Sequence, residues 1–136
     1  MSDNDIALVT GASRGIGAAI ALRLAKEGYD IWLNYKSNHA AAKDIAARIQ
    51  NMGRNCTLLP FDVSDESAVK NALDPLTKDK CPYILVNNSG IIKDNLFFWM
   101  SHDDWKDVLT VSLDGFYNIT SRIIGLMMQK KLLNKL

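Results

Sequence analysis

The stretch VTGASRGIG, residues 9–17, decides the fold because it joins a short apolar run to a helical pattern. The run that leads into it, residues 6–10, is partly β-branched, which is typical of a buried strand. Beyond it, Ile16, Ile20 and Leu24 recur every four residues and predict a helix that packs through those side chains. Glycines at such a strand-to-helix corner permit a tight turn and expose amide groups that attract phosphates. The alternative is a glycine turn that binds nothing.

The rest of the chain continues the alternation of strands and helices. Further strands are predicted at residues 30–35, 56–63 and 83–88. The later helices begin near residues whose side chains can cap a helix, namely Asn38, Ser64 or Asp65, and Ser101. We expect Pro75 to bend the third helix or to end it early. This order predicts an α/β fold, a doubly wound (Rossmann) parallel sheet with helices on both faces and the strand order 3-2-1-4.

Length, composition and charge narrow the classes of protein to which the chain can belong. A chain of 136 residues, 48% apolar and 23% charged, has the size and balance of one globular domain. Its formal net charge of +1, without a basic block in residues 1–125, disfavours nucleic acid as a partner. Because the N-terminus is polar, we expect no signal peptide, and no apolar run approaches the ~20 residues that cross a bilayer. We therefore expect no membrane partner and a cytoplasmic location.

The cysteines and histidines give no sign of a disulfide or a metal site. Cys56 and Cys81 lie far apart without a Cys-x-x-Cys spacing, and we expect both to be reduced, partly buried thiols. His39 and His102 have no partner at a metal-ligand spacing, and we expect them at the surface near helix starts. No metal is therefore expected.

Four motifs, in this order, resemble those of the short-chain dehydrogenase/reductase family. They are Thr10–Gly17 at the glycine turn, Asp62-Val63 after the third strand, Asn87-Asn88-Ser89-Gly90 after the fourth, and the paired segments 90–105 and 113–118. The paired segments are similar to the branch of the family that reduces 3-oxoacyl thioesters on acyl carrier protein. The resemblance runs from Ile6 to about Lys131. It implies an NADP-binding Rossmann domain at residues 1–131 and a tail outside the family pattern at 132–136.

The resemblance also implies a dinucleotide site in which Asp62 and Val63 contact the adenine. The implied cofactor-binding residues are Gly11, Ser13, Arg14, Gly15, Ile16, Gly17, Tyr35, Lys36, Asp62, Val63, Asn88 and Gly90. The second strand ends at residues 34–37 without the acid that an NAD site uses to bind the ribose. Lys36 and Arg14 would instead attract a 2′-phosphate, which predicts NADP(H) as the cofactor. The alternative is that Lys36 is only a solvated surface charge.

The main catalytic groups of the resembled family are not in place in this sequence. That family uses a Ser, a Tyr and a Lys, and the last two form a Tyr-x-x-x-Lys motif on a helix after a fifth strand. The last tyrosine here, Tyr117, has Ser121 at the fourth position after it. The Ser/Tyr/Lys triad is therefore absent from the sequence.

Ser112 holds the position of a family Asn that supports a proton-relay water. It shares a helical stripe with Trp105, Leu109, Phe116 and Ile119, which predicts that it points inward on one long helix reaching about residue 128. Ser112 is therefore either a relay residue or a small core residue that bonds to its own helix backbone.

By resemblance, the function is the NADPH-dependent reduction of a 3-oxoacyl thioester, carried by acyl carrier protein or coenzyme A, in a family that is usually tetrameric. A non-catalytic NADP-binding fragment, or half of a split protein, stays open. A methyltransferase or receiver domain is disfavoured, because the acid after the second strand and the acidic pair after the first are absent. We expect the chain to be truncated after the fourth strand and its helix. A bare sheet edge at residues 84–86 would then make it marginally stable or poorly soluble.

Overall fold

The computed structural model describes residues 5–90 and 97–133, in which four parallel strands form one sheet. The strands are β1 (Ile6–Val9), β2 (Asp30–Tyr35), β3 (Cys56–Pro60) and β4 (Ile84–Val86). Their order, β3-β2-β1-β4, confirms the predicted doubly wound topology. Because consecutive strands run outward from β1 on one side and β4 lies on its other side, a crevice opens at the carboxyl ends of β1 and β4.

The helices in the described residues are α1 (Gly15–Lys26), α2 (His39–Asn51), α3 (Glu66–Thr77), α4 (His102–Leu109) and α5 (Gly115–Leu133), with a 3₁₀ turn at Phe97–Trp99 and a π-helical segment at Thr110–Asp114. Three of these five helices, α2, α3 and α4, begin where capping side chains predict. Asn38, Asp65 and Ser101 each accept a hydrogen bond from the amide three residues on, at 3.0–3.1 Å. These three caps confirm the predicted helix starts.

The central strand β1 is buried on both of its faces. Ala7 and Val9 face the side that α1 and α2 cover, whereas Ile6 and Leu8 face the side that α3 and α5 cover. Side chains alternate between the faces of a strand, so a strand that is covered on both sides must be apolar throughout. This explains the unbroken apolar run before the glycine turn.

The core face of α1 differs from the predicted stripe. Its buried residues are the small ones, Gly17, Ala18, Ala21 and Ala25, and the side chain of Ile16 is 73% exposed. Small side chains let a helix lie close to the sheet, and the predicted isoleucine and leucine pattern overlooked them because they carry little apolar weight. The remaining members of the predicted stripe flank the core as partly buried residues.

Of the two effects expected of Pro75, the early end of α3 is wrong, because the helix continues to Thr77, and the bend stays a prediction. A proline removes the amide that would bond the carbonyl four residues earlier. The hydroxyl of Thr77 donates to the carbonyl oxygen of Leu73 at 2.9 Å, which supports the last turn from a side chain.

The single long helix predicted from residue 101 is in fact two helices with a π-helical segment between them. The buried residues of α5 are Gly115, Asn118, Ile119 and Ile123, whereas Phe116 is 53% exposed. The predicted inner stripe is therefore wrong except for Ile119. A π turn contains one residue more than an α-helical turn. The side chains of α5 are therefore rotated by about 100° about the helix axis from the positions they would have if α4 continued as an α-helix.

β4 lies at the edge of the sheet in the described residues, and Ile84, Leu85 and Val86 are half-buried. The division expected after residue 131 falls within α5 and stays a prediction. Residues 91–96 of the predicted motif at 90–105, and residues 134–136 of the predicted tail, lie outside the described residues. Across residues 5–90 and 97–133, no helix combines the length and the apolar character that a membrane span requires.

Candidate functional site

The residues predicted for cofactor binding meet at the carboxyl ends of the strands. The glycine turn follows β1, Lys36 follows β2, Asp62 and Val63 follow β3, and Asn88 follows β4. In open α/β sheets, ligands bind at this edge, where the order of the strands reverses. The strand order thus places the sequence motifs around one crevice.

The glycine turn presents an open helix N-terminus to this crevice. Gly11 and Gly15 adopt φ of 60° and 58°, in the left-handed region that glycine tolerates best. A β-carbon on Gly15 would have open space around it, whereas one on Gly17 would collide with the carbonyl oxygen of Gly11. Arg14 precedes α1 without capping it through its side chain, so the first amides of the helix have no side-chain acceptor there. This is a cradle of the shape and polarity that a phosphate requires.

Asn34 holds the glycine turn in place, a role that the sequence motifs did not predict for its side chain. Its Oδ1 accepts from the amide of Gly11 at 3.2 Å, and its Nδ2 donates to the carbonyl oxygens of Leu59 and Phe61, both at 3.0 Å. The backbone oxygen of Asn34 also accepts from the amide of Ala12 at 2.8 Å. The signal in the sequence was a polar residue inside an otherwise apolar strand, because a buried amide needs partners.

Thr10 and Asn88 join the loop after β1 to the loop after β4. The Thr10 hydroxyl oxygen accepts from the amides of Asn88 and Ser89, both at 3.0 Å. The side-chain nitrogen of Asn88 donates to the carbonyl oxygens of Thr10 and Gly11, at 3.2 and 3.1 Å. The structure therefore shows Asn88 bracing the crevice, and a contact between its side chain and a cofactor stays a prediction.

The side of the crevice beyond β2 carries a charge pair that the sequence did not reveal. The ammonium of Lys36 lies 3.3 Å from Oδ2 of Asp62, and the Lys36 side chain is 73% exposed. The second strand itself ends without an acid, but Asp62 brings a carboxylate to Lys36 because β2 and β3 are neighbours and their ends lie side by side. Tyr35, also predicted to bind the cofactor, is buried in the core, and its hydroxyl lies 2.7 Å from Nδ1 of His39.

Asp62 is held by its own loop as well as by Lys36. Its Oδ1 accepts from the amide and the hydroxyl of Ser64, at 2.9 and 2.7 Å. Burial would raise the pKa of Asp62, but the hydrogen bonds from Ser64 and the charge of Lys36 outweigh burial and hold the pKa below its usual value. Asp62 is therefore a fixed carboxylate at this end of the crevice.

A cleft of about 350 Å³ opens beside the glycine turn. Its lining residues are Thr10, Val63, Asn87, Ser89, Ser112, Leu113, Gly115 and Phe116. The interpretation of Ser112 as an inward-pointing core residue is wrong, because Ser112 is exposed and lines this cleft. Its Oγ lies 3.9 Å from the position of a β-carbon on Gly90. The lining role of Leu113 and Phe116 was not predicted, because the register change at the π-helical segment is not visible in the apolar pattern.

Neither cysteine lines this cleft. Cys56 and Cys81 are free and half-buried. Burial raises the pKa of Cys56 to about 11 and also raises that of Cys81, against the opposing charge of Lys130. Within residues 5–90 and 97–133, no three His, Cys, Asp or Glu side chains are grouped so that they could hold a metal ion.

Comparison with known protein families matches residues 5–132 to the family model described as short chain dehydrogenase. The 3-oxoacyl-[acyl-carrier-protein] reductase FabG of Aggregatibacter actinomycetemcomitans is 41% identical over 128 residues, which are 91% of this chain and 52% of that protein. The acetoacetyl-CoA reductase of Shinella zoogloeoides is 39% identical over 116 residues, which are 85% of this chain and 46% of that protein. The chain thus spans about half the length of the curated relatives it matches.

Solved structures agree in fold. A short chain dehydrogenase from Burkholderia cenocepacia J2315 in complex with NADP superposes with a TM-score of 0.80 at 34% identity, over 92% of this chain and 50% of that one. Carveol dehydrogenase from Mycobacterium avium in complex with NAD superposes with a TM-score of 0.84 over 95% of this chain and 51% of that one. At 23% identity, the second likeness shows the fold alone.

Proposed function

The chain belongs to the short-chain dehydrogenase family, and from this premise we propose that it binds a nicotinamide dinucleotide, NADP(H) in preference to NAD(H), in the crevice at the ends of β1 and β4. The observation that carries the proposal is the open, uncapped N-terminus of α1 behind a glycine turn at the switch point of the sheet. The residues in this crevice fit such a ligand in shape and in charge.

Each part of the proposed ligand has a counterpart in the crevice. The amides after Arg14 would bind the diphosphate, because helix N-termini attract anions. Asp62 and Val63 would lie against the adenine, since they follow β3 at the far side of the site. The cleft lined by Ser112 and Phe116 also reaches Val63 and Ser89, and it would take the rest of the ligand, including the nicotinamide end.

The preference for NADP(H) is supported by charge. An NAD site ends its second strand with an acid, and β2 ends with Tyr35 followed by Lys36. Arg14 is exposed at the start of α1, and no acidic side chain within the described residues pairs with it. A free guanidinium can make a forked bond to a 2′-phosphate.

We further propose that the reaction served by this site is reduction of a 3-oxoacyl thioester, carried by acyl carrier protein or coenzyme A. NADPH supplies the hydride in such a reaction. The carbonyl oxygen also needs a proton, and none of the four tyrosines in this sequence is followed by lysine at the fourth position. The chain's own contribution is therefore to bind and orient the dinucleotide, and Ser112 is the residue here that could hold a proton-relay water beside the cleft.

A second candidate, a binding module without catalysis, is favoured by the same missing tyrosine and lysine. Only the first candidate is compatible with turnover, and NADPH binding without turnover by this chain would favour the binding module. We expect the 136-residue chain to bind NADPH and to leave acetoacetyl-CoA unreduced, as followed by absorbance at 340 nm. Turnover above the blank would instead show that the chain carries a proton donor of its own and would exclude the binding module.

Binding itself is tested by calorimetry with NADPH and two matched variants. Ile16→Glu puts a carboxylate at an exposed position in the first turn of α1, where an acid stabilises the helix but repels a diphosphate. We expect it to weaken binding at least about tenfold, or about 1.4 kcal/mol. Met52→Glu makes the same kind of change at the far end of α2, where Met52 is 44% exposed, and should leave binding unaltered. Absence of heat with wild-type protein at millimolar NADPH would overturn the proposal.

A further inference from the structure

Lys36 and Asp62 come together because they follow neighbouring strands. Tyr35 at the end of β2 pairs with Pro60 at the end of β3, and the amide of Phe61 donates to the carbonyl oxygen of Tyr35 at 3.0 Å. The residues that follow Tyr35 and Phe61 therefore leave the sheet side by side. Their side chains meet with Lys36 Nζ at 3.3 Å from Asp62 Oδ2.

The two partners of this pair differ in how firmly they are held. Asp62 Oδ1 accepts two hydrogen bonds from Ser64, so the carboxylate is fixed with Oδ2 toward Lys36. Lys36 is a long side chain that is 73% exposed, so its ammonium is less firmly held. A phosphate that approached the ammonium would thus also approach a carboxylate that cannot turn away.

Arg14 occupies a different position in the same crevice. It lies at the start of α1, after the glycine turn, and none of the acidic side chains in the described part of the chain forms an ion pair with it. Its full positive charge is therefore available to an anion. The sequence predicts that Lys36 and Arg14 both attract the 2′-phosphate, but among the residues that the structure describes Lys36 has an acidic partner and Arg14 does not.

We propose that Asp62 sets the cofactor preference of this site by cancelling the attraction of Lys36 for a 2′-phosphate, so that discrimination between NADPH and NADH is carried by Arg14. This inference rests on the proposed dinucleotide binding. A dianionic phosphate beside the Lys36–Asp62 pair meets a net charge near zero, because the attraction and the repulsion act over similar distances. Asp62 is thus a specificity-determining residue, in addition to any contact with the adenine.

The experiment measures the ratio of the dissociation constants of NADH and NADPH for the full chain at low salt, where surface charges are least screened. NADPH and NADH share the adenine, so a change in the adenine contact cancels in the ratio. Asp62→Asn keeps an oxygen for Ser64 and should raise the ratio about three- to tenfold, since it leaves Lys36 free. Lys36→Met should lower the ratio by a similar factor. The double variant Asp62→Asn/Lys36→Met carries neither charge of the pair, so the ratio should return to within about twofold of the wild-type value.

The matched control is Asp79→Asn, which makes the same charge change beside the amino-terminal ends of β1 and β2, away from the crevice. It should leave the ratio unaltered. Arg14→Met should bring the ratio close to one. The inference is overturned if Asp62→Asn leaves the ratio unchanged, or if Asp79→Asn changes it as much. It is also overturned if Arg14→Met keeps the preference for NADPH. In each of these cases the proposed binding of the dinucleotide still stands. If wild-type protein binds neither nucleotide, the proposed function fails and this inference fails with it.

Discussion

Gly115 packs against Val63 so closely that a β-carbon on the glycine would lie 2.6 Å from Val63 Cγ2. Three residues later in α5, Asn118 Nδ2 donates to the carbonyl oxygen of Val63 at 3.0 Å. Both α5 residues are buried, as is Val63. The loop after β3, which carries Asp62 and Val63, is therefore positioned by α5 as well as by its own strand.

This contact predicts the effect of Gly115→Ala. Alanine favours a helix over glycine by about 1 kcal/mol. The added methyl group, however, overpacks a buried site, which typically costs about 1–3 kcal/mol. Val63 is buried and β-branched and has little room to move, so we expect net destabilisation of about 1–2 kcal/mol in urea unfolding.

Gly125→Ala is the matched control for this change. Gly125 lies in the same helix, and a β-carbon there would meet nothing within 4 Å. The variant should gain stability by about 0.5–1 kcal/mol, since only helix propensity changes. Equal effects at the two positions would contradict the packing of α5 against Val63.

The buried hydroxyl group of Thr10 predicts the effects of a second pair of variants on stability. Its hydroxyl oxygen accepts from two amides in the loop after β4, and Thr10 is almost fully buried. Thr10→Val keeps the shape but leaves both amides without that acceptor, which should destabilise the protein by about 1–3 kcal/mol. Thr10→Ser keeps the hydroxyl and should lose less than half as much. A valine variant as stable as the serine variant, measured by thermal unfolding, would show that the hydroxyl bridge contributes nothing.

Cys56 should react slowly with alkylating reagents in the folded protein. At pH 8 a pKa of about 11 leaves about one thiol in a thousand ionised, against roughly a quarter for an ordinary cysteine. In a Cys81→Ser background, the rate with iodoacetamide should rise about tenfold for each pH unit between pH ~8 and ~10. Urea-unfolded protein should react fast at pH 8. A folded-state rate that levels off near pH 9 would contradict the raised pKa.

The same thiol links stability to alkaline pH. Because the folded pKa of Cys56 lies above its unfolded value, the folded state keeps a proton that the unfolded state has released. This contribution to stability is complete below the unfolded pKa of about 8.5 and is lost as the pH rises through the folded value of about 11. The free energy of unfolding, measured with urea, should therefore fall less between pH 8 and pH 10 in Cys56→Ala than in the wild-type protein.

Asp62 gives the opposite pH dependence. Its folded pKa is lowered, so its ionised form contributes stability above the unfolded pKa of about 3.9, and that contribution is lost as the pH falls through the folded value. The stability difference between wild type and Asp62→Asn should therefore shrink on acidification from pH ~6 to ~2. Ser64→Ala, which removes the hydroxyl donor to Asp62, should weaken this trend in part. A difference that stays constant with pH would show that Asp62 is not stabilised in its ionised form.

The sequence predicted the sheet well because the sheet follows from local signals. The four apolar runs and the capped helices follow from hydrophobic period and side-chain caps, and the strand order follows from the doubly wound topology that alternating strands and helices favour. The helix faces were harder. The core of α1 consists of glycine and alanine, and that of α5 includes Gly115 and Asn118, so a pattern that weighs large apolar residues misses the first face and finds only Ile119 of the second.

The candidate site was predicted as a set of residues rather than as a set of contacts. The motifs named the glycine turn and the residues after each strand, since their roles depend on position along the chain. The Lys36–Asp62 pair and the two bonds that Asn34 Nδ2 donates connect residues 25–27 positions apart across neighbouring strands. Such contacts depend on strand register, which the sequence pattern alone did not fix.

The π-helical segment Thr110–Asp114 makes one wall of the cleft depend on how many residues separate α4 from α5. Deleting one residue there would restore ordinary α-helical spacing and turn the two helices against each other by about 100°. Ser112 could not then stay beside Gly90 while Gly115 stays packed against Val63. Insertion or deletion of one residue at this junction should consequently destabilise the protein more than the substitution of an exposed side chain there.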